Sequence, residues 1–393
     1  MDHLADVGGA FHWGGLTPGQ VNEQLRTMED PDLGPVVTFV THPRDGILGY
    51  FDQYGLNPYG GTPGVFGEPG VPLVELPLTS QLSDATIFTV ANFSMDFDAI
   101  EILNSKRLDF PRTPTAPELA AFASDGSTTA YDVLERTLSE QADLIGGIYT
   151  LAYGAAGQID DWFTLLNLGF RFTALGNSDT HSKTTTEAGC PRNFVLVDTD
   201  DPARVTPEEI ADAVAQGAVV ASYGPFITFW ANGDTPVGGE IITDEPVEFE
   251  IQVQSPEWFD VDRVELYRNG TLIHVWLTEG DDSTYDLAGT YTDHRDLTED
   301  AWYVVIAMGD DDMAPVFTPV ELPPVQLQDV VTGALSAVLD NTAILGPNVA
   351  LPRAGPIPPF AITNPIWVDR GGDGFNAPGV PGWLVEPVEP ETR

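Results

Sequence analysis

Residues 172–182 read FTALGNSDTHS. Phe172 to Asn177 (FTALGN) has the composition of a short buried strand, and the polar turn that follows presents Asp179 and His181 one residue apart. A strand running into such a turn is what α/β and barrel folds build at the C-terminal ends of their strands, where reactive groups gather. A solvent-exposed turn with a capping aspartate would read the same way locally. The elements on either side decide between the two.

Upstream, Pro35 to Thr41 (PVVTFVT) reads as a buried strand stopped by His42-Pro43, and Ala99 to Asn104 (AIEILN) as another. Between and before the strands come helices. Gly19 to Met28 follows Thr17 as N-cap and Pro18 at the first helical position. Thr128 to Ala142 has acidic and apolar faces, and Ile159 to Leu168 is a further helix. Short apolar runs alternating with helices predict βα units around a parallel sheet or barrel. Gly46 to Thr79, rich in glycine and proline, reads as a long surface excursion.

Downstream, a strand is expected over Asn193 to Val197. A helix then opens at Thr206-Pro207-Glu208-Glu209, with cap, proline and first-turn acids in register, and ends at Gly217. From Val247 the period changes to strand alternation (VEFEIQVQ). Val264 to Tyr267 and Leu272 to Leu277 flank an Asn269-Gly270 hairpin turn, and Ala301 to Ala307 adds a further strand. The organisation expected is an α/β unit over 1–240, a small antiparallel β-sandwich over 241–318 and a proline-rich extension over 319–393. That extension carries one apolar segment, Val330 to Leu339, and an acidic tail. It is expected to lie over the other units or to be partly disordered.

The chain has 393 residues and a formal charge of −44, from 60 acidic and 16 basic side chains, and its only lysines are Lys106 and Lys183. Such a surface repels phosphate backbones and anionic lipid, which argues against nucleic-acid and membrane-surface partners, and it attracts divalent cations. It also suits solubility in salty water. Stability is therefore expected to rise between low and near-molar salt, as the Debye length falls from about 30 Å to about 3 Å. Thermal melts at the two salt concentrations check this, and a flat or falling melting temperature would refute it.

The single cysteine, Cys190, excludes an intrachain disulfide and a cysteine-based zinc site. No stretch reaches the roughly 18–20 apolar residues of a membrane-spanning helix. The first residues lack the basic and apolar regions of an export signal, so an extracellular or periplasmic location requires an upstream signal peptide, and a cytoplasmic one is expected otherwise.

His42 ends an apolar run and is followed by proline, which would place it on the same rim as Asp179 and His181. Carboxylate oxygen and imidazole nitrogen together suit a divalent ion. Glu101 lies between Ile100 and Ile102, so strand alternation points it away from them, into a barrel lumen or into water. Inside, it would need a partner.

VTHPR at 40–44, AIEILN at 99–104 and GNSDTHS at 176–182 resemble the later motifs of the PHP superfamily, named for polymerase and histidinol phosphatase. CPRNFVLV at 190–197, AVVASYGPF at 218–226, Asn232-Gly233, Gly238-Gly239 and AITNPIWVD at 361–369 are similar to its carbaryl-hydrolase-like branch. The resemblance implies a distorted β/α barrel over 1–240, partial here, with divalent ions of zinc, manganese or iron activating water to cleave a small-molecule phosphoester, ester or amide. Residue by residue it implies His42, Asp179 and His181 as metal ligands, with Asp179 and His181 at the catalytic centre. It places Glu101 at a strand position near the pocket and makes Arg44 and Arg192 candidate contacts to a substrate anion.

The family's His-x-His and Asp-His strands have no counterpart before His42. The expectation is a chain that starts downstream of such a segment or is a degenerate relative, and that is a poor catalyst. The rival reading is a noncatalytic extracellular binding or structural protein. The run VDRGGDGF at 368–375 only loosely resembles a calcium loop, because the series of oxygen ligands is incomplete.

Overall fold

The structure, a computed structural model, describes residues 15–28, 35–43, 49–53, 93–105, 158–180, 188–278, 284–309, 311, 313–317, 320–322, 353–355 and 357–379. These residues form a mixed α/β, sheet-rich architecture with few helices. The helix expected at Thr128–Ala142, most of the excursion at Gly46–Thr79, the segment Val330–Leu339 and the acidic tail lie outside the described residues. So do His181 and Arg44. None of the described helices is long and apolar enough to cross a membrane.

Three parallel strands form the first layer: β1 (Phe39–Val40), β2 (Ala99–Asn104) and β3 (Thr173–Asn177), in spatial order β1-β2-β3. A short helix, α2 (Tyr50–Gln53), follows β1. Helix α1 (Pro18–Arg26) starts with a capping box: the Thr17 N–H donates to Gln20 Oε1 at 2.9 Å and the Gln20 N–H to Thr17 Oγ1 at 3.4 Å. Helix α3 (Gln158–Asn167) is buried on every side that the structure describes. The reason is its position. It packs on β2, while Phe163 meets Tyr267 and Trp302 with ring centroids 5.6 and 4.9 Å away, so both faces of α3 are covered.

Tyr267 and Trp302 belong to a large sheet of eight strands. Its main path runs β11 (Thr271–Leu277), β10 (Arg263–Arg268), β13 (Ala301–Met308), β16 (Phe360–Thr363), β5 (Val219–Ser222), β4 (Arg192–Val195), with β17 (Ile366–Asp369) and β8 (Glu240–Ile242) pairing beside β13. A four-stranded sheet of β12 (Tyr285–Asp293), β9 (Val247–Gln254), β6 (Phe226–Ala231) and β7 (Thr235–Pro236) covers its other face. The remaining strands, β14 (Val320–Leu322) and β15 (Arg353–Gly355), pair with each other. Helix α4 (Pro207–Ala215) carries the expected capping box between Thr206 and Glu209, and Gly217 at φ +76° ends it.

Strand β13 shows how the layers share one sheet. All eight residues of AWYVVIAM are buried: Trp302, Val304, Ile306 and Met308 enter the core with α3 and β2, while Ala301, Tyr303, Val305 and Ala307 enter the core between the antiparallel sheets. A strand covered on both faces loses polar alternation, and this one reads as a continuous apolar run for that reason.

The antiparallel sheets therefore cross the boundaries read at 240 and 319, because β4 to β6 come from before residue 240 and β16 and β17 from after residue 319. Residues 360–369 do not lie over the other units as expected. They form two buried strands hydrogen-bonded to β13.

Strand β3 has β2 on one side only, and side-chain amides take the place of a strand on the other. Asn364 Oδ1 accepts the Ala174 N–H at 2.7 Å, while its Nδ2 donates to the Ala174 carbonyl at 3.0 Å and the Val219 carbonyl at 2.9 Å. Two residues further along, Asn193 Oδ1 accepts the Gly176 N–H at 2.8 Å and its Nδ2 returns to the Gly176 carbonyl at 2.9 Å. An open edge thus becomes a satisfied contact between layers. Gly176 permits the approach, since a Cβ there would sit 3.2 Å from that of Ala221 and 3.3 Å from that of Pro191.

Candidate functional site

The C-terminal ends of the three parallel strands are conformationally unusual. His42 after β1, Ser105 after β2 and Asp179 after β3 have φ of +32°, +49° and +44°. Non-glycine residues in this region are uncommon, and where the surrounding structure holds them they tend to mark functional turns. Hydrogen bonds hold at least one of these ends, for the Ser105 N–H donates to the Asn177 carbonyl at 2.9 Å.

Glu101 joins the ends of β1 and β2. It is 1% exposed, and its Oε2 accepts the backbone N–H of His42 at 2.5 Å and the Asn104 amide at 2.9 Å. Burial pushes its carboxyl above the usual carboxylate range, opposed by the His42 N–H and the Asn104 amide. At the end of β3, Asn193 Nδ2 donates to Asn177 Oδ1 at 3.1 Å, which connects strand β4 to that end.

Simple alternation does not give this arrangement. The β2–β3 register shifts between Glu101 and Leu103, with Glu101 opposite Leu175 and Leu103 opposite Gly176, so Ile102 is an extra residue in the ladder. The irregularity buries all six residues of β2 and leaves Glu101 among polar groups instead of in water.

Glu101→Ala leaves the His42 N–H and the Asn104 amide without their acceptor; the buried amide alone should cost about 1–3 kcal/mol of stability, and the partly buried N–H adds less. Glu101→Gln retains an acceptor and should cost distinctly less. Urea unfolding of both variants checks this, and equal losses would show that the carboxylate does not hold the strand ends.

Of the residues singled out in the sequence, the structure places His42, Glu101 and Asp179 together at this end of the parallel sheet. His42 is partly buried, and its Nδ1 is enclosed with no hydrogen-bond partner among the described residues. Arg192 is adjacent on β4 to Asn193, so it projects to the other face of that strand. There its guanidinium lies 5.5 Å from the Phe194 ring centroid and 5.9 Å from that of Phe317, and it donates to the Gly189 carbonyl at 3.3 Å. Among the described residues no three His, Cys, Asp or Glu side chains gather into a metal-sized group.

Asn104, Asn177 and Asn193 are the members that sequence reading did not single out. Each lies inside a stretch already marked by its motif, which was the one available signal. In the loop at 369–374, Asp369 Oδ1 accepts the Gly372 N–H and Oδ2 the Gly374 N–H, both at 3.0 Å. No protein-family model, curated protein or solved structure matches this chain.

Proposed function

We propose that the chain is a metal-dependent hydrolase of the PHP type, acting on a small-molecule phosphoester, ester or amide, with its three parallel strands as part of a distorted β/α barrel within residues 1–240. The observation that carries this reading is the buried carboxylate of Glu101, which ties the end of β1 to the end of β2 beside His42. The donor chemistry fits a divalent ion: His42 offers an enclosed imidazole nitrogen with no other partner, and Asp179 a carboxylate on the third strand end. His181, two residues on, completes the set of ligands. When bound, such an ion supplies a water of lowered pKa and polarises the scissile carbonyl or phosphoryl oxygen.

The chain's own residues do the positioning. Glu101 fixes the His42 backbone, and with it the direction in which the imidazole leaves the strand. Asn104 holds Glu101 in turn, so the ends of β1 and β2 are set before any ligand arrives. Arg44 is the proposed contact for an anionic substrate group, because Arg192 is committed to the aromatic rings of the other face.

With zinc, manganese or iron supplied, the chain should hydrolyse generic phosphoester or carboxylester substrates slowly, below about 1 per second. Three ligands are fewer than a metal cluster uses, which is why the rate should be low. Asp179→Asn should abolish the turnover. Activity that survives this substitution, or none with any of the three metals, contradicts the proposal.

A further inference from the structure

At the opposite end of the fold, where α3 ends and β3 begins, two arginines converge on a cleft of about 350 Å³. Arg268 ends β10 and Arg295 follows β12. Leu272, Ile273 and Pro378 supply an apolar floor between them. The chain has only 16 basic side chains against 60 acidic ones, so a concavity lined by two arginines and, among the described residues, by no acid departs from the character of the surface.

The hydrogen bonds leave part of this charge uncommitted. The buried carboxylate of Asp293 accepts the Arg295 N–H and Nη1 at 3.0 Å each and the Tyr303 hydroxyl at 2.8 Å, so its own capacity is largely spent inside the protein. Arg268 uses Nη2 for the carbonyls of Asp296 and Glu299, at 3.1 and 3.5 Å. Its Nε is buried and ion-paired with Asp293 Oδ2 at 3.7 Å, with no closer hydrogen-bond partner among the described residues. Arg295 also donates from Nη1 to the Tyr291 hydroxyl, directs Nη2 to the Ile273 carbonyl at 3.2 Å and remains 47% exposed. Asp293 and Asp296 balance the two guanidiniums, and arginine holds its proton at any ordinary pH, so the exposed part of Arg295 presents a cation to the cleft. Arg295 is the guanidinium a ligand can reach, and a carboxylate matches its geometry.

We propose that this cleft binds a small organic carboxylate, its anionic group against Arg268 and Arg295 and its apolar body on Leu272, Ile273 and Pro378. The volume lies at the lower end of ligand pockets, which span about 300–1,000 Å³, so the ligand is a compact one. Because the site is remote from the strand ends, it stands or falls independently of the hydrolase reading.

The test is a titration of the full chain with hexanoate, hexanamide and inorganic phosphate at about 0.1 M salt, where repulsion from acids more than about 10 Å away is screened. Binding is read from the methyl resonances of Leu272 and Ile273. Saturable shifts with hexanoate, and none with hexanamide, are expected. Arg268→Gln and Arg295→Gln should each weaken hexanoate by about tenfold or more. Should Arg268→Gln disturb the 294–300 loop that it holds, Arg295→Gln, altering a half-exposed side chain, still decides the question. Equal response to hexanamide, stronger binding of phosphate than of hexanoate, unchanged affinity in Arg295→Gln, or no saturable shift in the wild type would each overturn the proposal.

Discussion

Replacing Asn364 by alanine should lower the unfolding free energy by about 2–6 kcal/mol, the sum for two buried backbone groups left unsatisfied at about 1–3 kcal/mol each. The two groups are the N–H and carbonyl of Ala174, whose partners are Asn364 Oδ1 and Nδ2 in a position where the side chain is fully buried. The Val219 carbonyl also loses a donor, but it keeps the Asn364 backbone N–H at 3.1 Å, so it adds little. Asn364→Asp should not rescue the loss, because it keeps an acceptor for the Ala174 N–H, provides no donor for the two carbonyls and buries a charge. Asn193→Ala, which vacates the same kind of contact at a partly buried position that water can reach, should cost less than half as much. Guanidinium unfolding measures all three. A loss below about 1 kcal/mol for Asn364→Ala would place the substitution among ordinary surface changes and remove the amide ladder as the link between the layers.

Much of the architecture was legible wherever local chemistry decides the backbone. Strand β2 spans the AIEILN run read from the sequence, and α1 and α4 begin at Thr17 and Thr206 because cap, proline and the third helical side chain agree there. The Asn269-Gly270 turn takes φ of +51° and +78°, which suits those two residue types and closes the β10–β11 hairpin. Strand β1 is shorter than its apolar run, two residues where seven were read, because only Phe39 and Val40 find partners on β2.

What the sequence could not show depends on pairing across long separations. Strands β16 and β17 are four residues each and split by Asn364-Pro365, so neither has the length nor the alternation that marks a strand. Their place beside β13 follows from contacts about sixty residues away. Glu101 was visible as a carboxylate in an apolar strand, but its burial depends on the register shift at Ile102, which has no local signature. The arginine cleft has none either, since Arg268 and Arg295 are joined only by the approach of a hairpin to the end of β12.

Loss of bound metal on changing the strand-end ligands is the other large effect expected. His42 and Asp179 follow the strands on either side of β2, whose Glu101 holds the His42 backbone, and His181 follows Asp179 by two residues, so removing two of the three proposed ligands should leave a lone imidazole that cannot hold an ion through dialysis. The measurement is zinc, manganese and iron content after dialysis, in the wild-type chain and in the Asp179→Asn, His181→Ala double variant, with circular dichroism to show that both are folded. Retained metal in the wild type and near-complete loss in the folded variant are predicted. Equal metal content in the two would contradict a shared metal site at the ends of the parallel strands.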